Sequence, residues 1–371
     1  MVILMLVLGL IVLTVGAELL VRGASRLAMA MGISPLVVGL TVVAYGTSAP
    51  EMVVSVQSSL AGQPDVALGN VVGSNIFNVL FILGVSAMIV PLRVSQQLIR
   101  IDVPLMIAIS LLVYAMAFDG AIGQLDGLLL VGGAIAYTAL AVITSRRESS
   151  AIKAEYEKEF GNTKEPGSLK RVAVNLALVA GGLGLLVAGS HWFIDSAIVI
   201  ARALGVSELV IGLTIVAAGT SMPEVATSIM AAIRGERDIA VGNVVGSNIF
   251  NILAVLGISS AVAPGGVKVT AAALTMDIPV MIAVAAACLP VFFIGHIISR
   301  WNGVLFLAYY FAYTATFVIA EMVPGYHRTY ALLMLGLVIP LTVITLLTGV
   351  VRSIRRNKPS APPTEESSRS L

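Results

Sequence analysis

The sequence predicts an all-α polytopic membrane protein, an inverted repeat of two five-helix halves plus an eleventh C-terminal helix. Three observations lead to this fold class. The 371 residues are 58% hydrophobic and only 11% charged, whereas about 25% of a soluble domain is charged. Apolar runs of about 20 residues, each long enough to cross a bilayer, recur along the chain. Two long blocks of the sequence also match each other.

Eleven apolar segments are long enough to be membrane-spanning helices. The first has no basic segment before it and no small-residue cleavage site, so we expect a retained helix and not a signal peptide. The connections between the segments are mostly short and rich in Pro, Gly and charged residues. The predicted spans are 2–30, 34–60, 66–90, 98–118, 122–145, 171–203, 207–233, 239–263, 269–295, 302–322 and 329–351.

Basic residues predict which ends of the spans face the cytoplasm, because cytoplasmic loops are enriched in Lys and Arg. If the N-terminus is outside, most Lys and Arg residues fall on the cytoplasmic side, and only Arg202, Lys268 and Arg328 do not. We therefore expect a multi-pass protein of the cell (inner) membrane, with its N-terminus outside and its C-terminus in the cytoplasm.

An internal duplication defines the domain organisation. Residues 16–84 align with residues 189–257 without a gap, at an offset of 173 residues, and roughly half of the positions are identical. Weaker similarity extends the repeats to five spans each. Because five is odd, the second repeat starts on the opposite side of the membrane, and such inverted repeats place their ion or substrate site between the halves near the bilayer midplane. The predicted parts are the repeats 1–145 and 171–322, the cytoplasmic loop 146–170, the extra helix 323–351 and the cytoplasmic tail 352–371.

Each half carries the same two polar motifs inside apolar spans. "GTSAPE" at 46–51 returns as "GTSMPE" at 219–224, and "GNVVGSNIFN" occurs letter for letter at 69–78 and 242–251. The proline of the first motif lacks an amide hydrogen, so it breaks the helix and frees a backbone carbonyl. Irregular backbone at this depth has to line a cavity or lie inside protein. Ionisable residues within membrane spans, such as the two glutamates, are by default functional.

Together these motifs predict a cation site. In each half a Thr and a Ser lie on the same helical face as the Glu, and the Ser and Asn of the second motif are four residues apart. Every candidate ligand is an oxygen atom, which suits Ca²⁺, whereas softer transition metals prefer the His and Cys that both motifs lack. The candidate ligands are Thr47, Ser48, Glu51, Ser74 and Asn78 in the first half and Thr220, Ser221, Glu224, Ser247 and Asn251 in the second.

Simpler roles also fit some of these residues. The Thr and Ser hydroxyls fit ordinary interhelical hydrogen bonding, and the glycine pairs of the "GNVVG" segments favour close helix packing. Asp102 and Asp277 lie near predicted membrane boundaries, where we expect a capping or interfacial role. The glycines concerned are Gly69, Gly73, Gly242 and Gly246.

With these two pairs of motifs, the sequence resembles the sodium/calcium exchanger family, the cation/Ca²⁺ antiporters, and in particular its prokaryotic branch, over about residues 1–322. The resemblance implies ten core helices, four broken helices around the ions, and two long helices, here 2–30 and 171–203, that slide to alternate access. It assigns ion ligation to the residues named above and adds the backbone carbonyls of Ala44 and Ala217. Asn251 is a difference from several family members, which carry Asp at the equivalent position. This difference argues against potassium co-transport.

The leading hypothesis is a secondary antiporter that exchanges Ca²⁺ for Na⁺ by alternating access at a midplane cation site. A Ca²⁺/H⁺ antiporter is the nearest alternative, because two glutamates could also cycle protons. An intramembrane enzyme such as a lipid-pyrophosphate phosphatase is disfavoured, because phosphoryl chemistry needs Arg or Lys and neither motif contains one. We expect Ca²⁺, Na⁺ and membrane lipid as partners, no nucleic acid, no cofactor and no enzymatic activity, and a protein that functions as a monomer.

Overall fold

A computed structural model gives the architecture, which is almost entirely helical. The described residues are 2–31, 33–147, 169–204, 217–322 and 332–356. The helices of the first half are α1 (Val2–Met31), α2 (Pro35–Val38), α3 (Ala44–Thr47), α4 (Ala49–Leu60), α5 (Pro64–Phe77), α6 (Gly84–Ile89), α7 (Val103–Met116) and α8 (Gln124–Arg147). Those that follow are α9 (Leu169–Ala203), α10 (Ala217–Gly219), α11 (Met222–Ile233), α12 (Arg237–Phe250), α13 (Gly257–Val262), α14 (Ile278–Phe293), α15 (Arg300–Met322) and α16 (Ile339–Arg356).

Short π-helical segments join several of these helices into longer spans. Asn78–Leu83 joins α5 to α6, and Asn251–Leu256 joins α12 to α13 at the equivalent position of the second half. Such segments are rare and are frequent at functional sites. The remaining π-helical segments are Gly39–Val43, Leu98–Asp102, Ala273–Asp277 and Met334–Val338, and the 3-10 turn Ala117–Asp119 follows α7.

Nine of the eleven predicted spans are found as complete apolar spans in the described part of the chain. Eight are single helices, and the ninth is formed by Pro35–Thr47 and Ala49–Leu60, which are bent by 46°. The predicted spans 207–233 and 329–351 are described in part, and contain the shorter apolar helices Met222–Ile233 and Ile339–Val351. The rest of these two spans, and most of the predicted loop and tail, lies outside the described residues.

The two spans that carry the asparagine-containing block form the centre of the protein. The apolar stretch of Arg237–Val262 is completely buried and most of that in Val66–Ile89 is buried, whereas most of that in Arg300–Ile319 is not. Every residue of α12 from Ile239 to Phe250 is buried, including its asparagines and serine. Because buried polar groups need hydrogen-bond or ionic partners, the polar residues of these spans must be satisfied inside the protein.

The long helices α1 and α9 pack against each other in antiparallel orientation through glycines. A Cβ atom added at Gly16 would lie 2.9 Å from the carbonyl oxygen of Gly182, so the two backbones approach too closely for a larger residue. The glycines of α1 are seven residues apart, close to two helical turns, and therefore share one face. The other close approaches are Gly9 against Gly189 and Gly23 against Asn175.

Polar contacts attach α1 to the connection between α11 and α12. Arg234 Nε donates to Glu18 Oε2 at 2.7 Å, and Arg22 forms a second ion pair with Glu18. Ser25 Oγ donates to Glu236 Oε1 at 2.7 Å. Burial raises the pKa of Glu236 above its ordinary value, and the hydrogen bond from Ser25 acts in the opposite direction. The long helix of the first half is thus bonded to the second half.

Two short antiparallel strand pairs connect loops that are distant in sequence. β1 (Leu92–Arg93) pairs with β4 (Ile297–Ile298), and β2 (Ala121–Ile122) pairs with β3 (Val267–Lys268). Each pair joins two loops that the eleven-span prediction places on one side of the membrane, cytoplasmic for the first pair and external for the second. The sequence does not predict these strands, because two residues are too few to form an alternating pattern.

Asp102 and Asp277 bind tyrosines of neighbouring helices. Tyr137 donates to Asp102 Oδ1, and Tyr313 donates to Asp277 Oδ1, each at 3.1 Å. Both aspartates precede a helix, but neither side chain makes a capping hydrogen bond. The predicted capping role is therefore wrong for both. Asp102 is only 1% exposed, so the protein itself encloses it.

Candidate cation site

Both broken spans are interrupted at a serine. Ser48 has φ −80° and ψ 10°, and its equivalent Ser221 has φ −86° and ψ 10°, both outside regular helical values. The proline two residues later lies in the first turn of the next helix, and because it has no amide hydrogen, the carbonyl four residues before it lacks its helical partner. Each span therefore ends and restarts at the same point of its motif.

Each restarted helix carries a buried glutamate in its first turn. Glu51 is 0% exposed and Glu224 is 1% exposed. The N-terminus of a helix favours negative charge, so both carboxylates have a partly stabilising position. Ser221 Oγ donates to Glu51 Oε1 at 2.8 Å, and Ser48 Oγ donates to Glu224 Oε1 at 3.1 Å. Because each serine belongs to the other half, these hydrogen bonds bring the two glutamates into one cluster.

The serines and asparagines predicted on α5 and α12 lie at equivalent buried positions. Ser74 Oγ lies 3.2 Å from Ser221 Oγ, which places Ser74 beside the Glu51 carboxylate. Ser247 is fully buried, and its Oγ has no hydrogen-bond partner among the described residues. One turn later, Asn78 and Asn251 begin the two equivalent π-helical segments and are also buried.

The threonines are hydrogen-bonded to asparagines of the other half. Thr47 Oγ1 donates to Asn243 Oδ1 at 3.1 Å, and Thr220 Oγ1 donates to Asn70 Oδ1 at 3.3 Å. Asn70 Nδ2 in turn donates to the backbone carbonyl of Glu51 at 3.2 Å. Both threonines therefore make interhelical hydrogen bonds, which is the simpler role that also fits these hydroxyls. This bonding leaves the oxygen lone pairs free, because each hydroxyl acts as the donor.

The predicted backbone ligands are described less completely. Ala44 is buried, and its carbonyl oxygen accepts hydrogen bonds from the Ser48 amide at 3.0 Å and from Thr47 Oγ1 at 3.4 Å. α10 begins at Ala217, whose side chain lies outside the described part. The Gly219 carbonyl, freed by the proline, accepts from Ser190 Oγ of α9 at 3.0 Å. The long helix α9 is therefore in direct contact with the second break.

We call the ten clustered side chains the oxygen cage, namely Thr47, Ser48, Glu51, Ser74, Asn78, Thr220, Ser221, Glu224, Ser247 and Asn251. Five of its buried oxygen atoms have no hydrogen-bond partner among the described residues. A buried acceptor without a partner is costly, so five of them, two of which belong to carboxylates, indicate a site for a cation. These atoms are Glu51 Oε2, Glu224 Oε2, Asn78 Oδ1, Asn251 Oδ1 and Ser247 Oγ.

The chemistry of the oxygen cage favours a hard cation. When both of its carboxylates are ionised the cage carries a charge of −2, and its other groups are neutral hydroxyls and amides. Within the described ranges, no group of three or more His, Cys, Asp or Glu could hold a metal, so neutral oxygens must supply most ligands. Ca²⁺ accepts such mixed sets of carboxylate, amide and hydroxyl oxygens in flexible geometry.

Sequence reasoning missed the asparagines that hold the oxygen cage. Asn70 and Asn243 bind its threonines, and Asn75 and Asn248 bind its asparagines. The four-residue spacing of one helical face identifies Ser74 and Asn78 and their equivalents in the second half. It does not identify these four asparagines, which lie at other positions of the same helices. Their repetition at the same offset inside an apolar span was the available signal.

The close packing predicted for the glycines is confirmed for the second half. A Cβ atom at Gly246 would lie 2.7 Å from the Leu40 carbonyl oxygen, and one at Gly242 would lie 3.0 Å from that of Leu36. The segment equivalent to these leucines, residues 205–216, lies outside the described residues, so the prediction for the glycines of the first half stays untested.

Comparison with known families agrees with this geometry. A family model described as "Sodium/calcium exchanger protein" matches residues 1–143 and 174–319, which include both broken spans and both asparagine blocks. The chain belongs to the sodium/calcium exchanger family. The resemblance found in the sequence motifs is confirmed.

Individual relatives in the exchanger family match most of the chain. The sodium/calcium exchanger MaX1 of Methanosarcina acetivorans is 33% identical over 342 residues, 84% of this chain and 96% of that protein. The inner membrane protein YrbG of Escherichia coli K12 is 35% identical over 284 residues, 76% of this chain and 85% of that protein.

A solved structure of the sodium-calcium exchanger NCX_Mj, soaked with Na⁺ and Ca²⁺, has the same fold. It superimposes with a TM-score of 0.70 and 32% identity, and covers 85% of this chain and 97% of NCX_Mj. The predicted fold class, an all-helical multi-pass membrane protein with inverted repeats, is confirmed.

Proposed function

We propose that this member of the exchanger family is a secondary antiporter that exchanges Ca²⁺ for Na⁺ by alternating access at the oxygen cage. The observation that carries the proposal is the set of five buried oxygen atoms without a hydrogen-bond partner in the described structure, which includes one carboxylate oxygen each of Glu51 and Glu224. Buried carboxylates need compensating positive charge, and none of the ten cage residues is basic. Bound cations supply that charge. The names of MaX1 and NCX_Mj support Na⁺ and Ca²⁺ as these cations.

The proposed ligands are the side chains of the oxygen cage together with the backbone carbonyls of Ala44 and Ala217. One Ca²⁺ or two Na⁺ balance the charge of the two glutamates. A Ca²⁺ and a Na⁺ held about 4 Å apart would repel each other by roughly 8 kcal/mol at an effective dielectric constant of about 20. The two ions therefore compete for the same oxygens, and this competition couples their transport.

We propose that α1 and α9 move together to open the oxygen cage to one side or the other. α9 packs on both breaks: a Cβ atom at Gly46 would lie 2.5 Å from Leu183, and one at Gly219 would lie 2.6 Å from Ile194. Ser190 adds a hydrogen bond to the second break. A displacement of this pair of helices therefore changes the contacts that cover the two glutamates.

An enzymatic function does not fit the family or the site. The named relatives are transporters or membrane proteins, and a lipid-pyrophosphate phosphatase would need Arg or Lys on the phosphoryl oxygens. The oxygen cage contains hydroxyls, amides and carboxylates only. We therefore propose no cofactor and no nucleic-acid partner, with Ca²⁺ and Na⁺ as the transported substrates.

Transport by the purified protein tests the proposal. The protein is reconstituted in vesicles, and ⁴⁵Ca²⁺ uptake is measured with a Na⁺ gradient, a K⁺ gradient or a pH gradient. We expect uptake with the Na⁺ gradient alone. Uptake driven by the pH gradient without Na⁺ would instead establish Ca²⁺/H⁺ antiport, and no uptake in any arm would contradict the antiporter.

We further propose that the protein functions as a monomer in the cell (inner) membrane, with its N-terminus outside and its C-terminus in the cytoplasm. One chain supplies both halves of the oxygen cage, so no second copy is needed. The name of YrbG supports the inner membrane, and the two strand pairs support an even number of spans between the loops that each pair joins, as the eleven-span topology requires. The proposed division keeps the halves 1–145 and 171–322, the loop 146–170, the extra helix 323–351 and the tail 352–371.

Cysteine labelling tests this orientation in a background without Cys288. An impermeant thiol reagent applied to intact cells should label Asp119→Cys, near β2, and should label Ser149→Cys and Ser360→Cys only after permeabilisation. Labelling of Ser149→Cys and Ser360→Cys from opposite sides would contradict the eleven-span topology. Light scattering in detergent should give the mass of one chain, 38.5 kDa.

A further inference from the structure

Two asparagines outside the oxygen cage join α5 to α12 by reciprocal hydrogen bonds. Asn75 Nδ2 donates to the backbone carbonyl of Asn248 at 3.2 Å and approaches Met281 Sδ at 3.6 Å. Asn248 Nδ2 donates to the backbone carbonyl of Asn75 at 3.3 Å and approaches Met106 Sδ at 3.6 Å. Both asparagines are buried.

These partners determine how each amide is oriented. A backbone carbonyl and a thioether sulfur are acceptors only, so the nitrogen of Asn75 and of Asn248 has to face them. The oxygen of each side chain then faces the opposite way. There, Asn75 Oδ1 accepts from Asn251 Nδ2 at 3.1 Å, and Asn248 Oδ1 accepts from Asn78 Nδ2 at 2.9 Å. Rotating either amide by 180° would set oxygen against oxygen and nitrogen against nitrogen.

The fixed orientation of these two amides also determines the orientation of two side chains of the oxygen cage. Because Asn251 and Asn78 present their nitrogens to Asn75 and Asn248, their own oxygens are directed away from these partners. Both oxygens are buried without a hydrogen-bond partner in the described structure. We propose that Asn75 and Asn248 are positioning residues that hold the amide oxygens of Asn251 and Asn78 toward the transported cation. This inference rests on the proposed function, which makes the oxygen cage a cation site.

The positioning is crossed between the halves. Asn75 of the first half orients Asn251 of the second, and Asn248 of the second half orients Asn78 of the first. Without its positioning partner, a cage amide can turn and present its N–H groups to the cation, which converts an attractive ligand into a repulsive one. The loss should therefore appear mainly in the affinity for Ca²⁺.

Double-mutant cycles test this crossed coupling. Asn75→Ala and Asn251→Ala are made singly and together, and the KM for Ca²⁺ and the maximal rate of Na⁺-driven uptake are measured. We expect Asn75→Ala to raise the KM about tenfold, as for a lost hydrogen-bonding contact to an ion. In the Asn251→Ala background the same change should raise the KM by less than about twofold, because the group on which Asn75 acts is gone. The maximal rate should change less than the KM.

The crossed geometry supplies matched controls. Asn248→Ala should couple with Asn78→Ala in the same way, whereas Asn75→Ala with Asn78→Ala, and Asn248→Ala with Asn251→Ala, should be close to additive. Ser110→Ala removes a different buried hydrogen bond, 2.7 Å to Met106 O on the adjacent α7, and should leave the KM within about twofold. Equal coupling within and between the halves would indicate general packing and overturn the inference.

Failure of this inference is distinguishable from failure of the proposed function. If the wild-type protein shows no Na⁺-driven Ca²⁺ uptake in the same vesicles, the proposed function is wrong. If it does, and both crossed pairs are additive, only the positioning role is wrong. Should an alanine variant fail to fold, the symmetric cycle and the corresponding serine variants, Asn75→Ser and Asn248→Ser, give the same comparison.

Discussion

The two broken spans are alike where they face the oxygen cage, but the long helices α1 and α9 do not offer them equivalent side chains. On the cage side, Ser48 and Ser221 have nearly the same backbone angles and make equivalent hydrogen bonds to a glutamate of the other half. On the other side, the Gly219 carbonyl accepts a hydrogen bond from Ser190, whereas the residue equivalent to Ser190 is Ala17, which has no side-chain donor. Both halves have to bind the same ions, which constrains the cage side in both.

The long helices themselves differ in the same way. Glu18 of α1 binds Arg234 of the second half, and the residue equivalent to Glu18 in α9 is His191. None of these residues belongs to the oxygen cage. The duplication has therefore kept the ion-binding groups symmetric, while the groups that attach the long helices to the rest of the protein have diverged. Opening to the two sides of the membrane need not be energetically equal.

The largest expected effect tests the symmetric side of this comparison. Glu51→Gln and Glu224→Gln each remove half of the cage charge, and loss of one partner from a buried charge pair costs about 3–5 kcal/mol. We expect each variant to lose more than about 100-fold in Ca²⁺ transport, and to similar extents. Na⁺-driven ⁴⁵Ca²⁺ uptake is the measurement, with Glu236→Gln as a control outside the oxygen cage. A large loss of Ca²⁺ uptake in one variant together with near wild-type uptake in the other would contradict the proposed equivalence of the two halves.

A second prediction concerns the contact between α1 and α9. A Cβ atom at Gly182 would lie 2.6 Å from the Leu20 amide nitrogen, so Gly182→Ala forces the helices apart. Overpacking of this kind should lower the free energy of unfolding by about 2 kcal/mol. The nearby Gly181 meets no described atom within 4 Å, so Gly181→Ala is the matched control. Thermal unfolding in detergent measures both, and equal melting temperatures would rule out a close glycine contact.

The smallest expected effect tests the asymmetric side. Ser190→Ala removes one hydrogen bond, worth about 1 kcal/mol, and should change the rate of Ca²⁺ exchange by about fivefold. Ala17→Ser is the reciprocal variant and offers the first half a donor that it lacks. Exchange is measured in both directions across the vesicle membrane. If Ser190→Ala leaves both rates at the wild-type values, the hydrogen bond to Gly219 has no part in the movement of α9.

The sequence predicted the oxygen cage because its ligands depend on local spacing. Pro50 breaks its span and Glu51 follows it directly, so the six-residue motif 46–51 contains both the helix break and the carboxylate. The sequence does not predict the hydrogen-bond partners of Asn75 and Asn248, because these partners depend on how two helices from different halves pack against each other. Asp102 illustrates the same limit, since its tyrosine partner lies 35 residues away on another helix.

The glycine contacts between α1 and α9 also restrict how these helices can be displaced. Gly9, Gly16 and Gly23 recur every seven residues, about 10.5 Å along the helix axis. Leu13 and Leu20 lie between them on the buried face of α1. A shift of α1 along α9 by less than one full interval would set these leucines against backbone that only glycine can approach. We therefore expect the two helices to translate together as one rigid body, so that the length of the alternating-access step depends on the contacts between this helix pair and the rest of the protein.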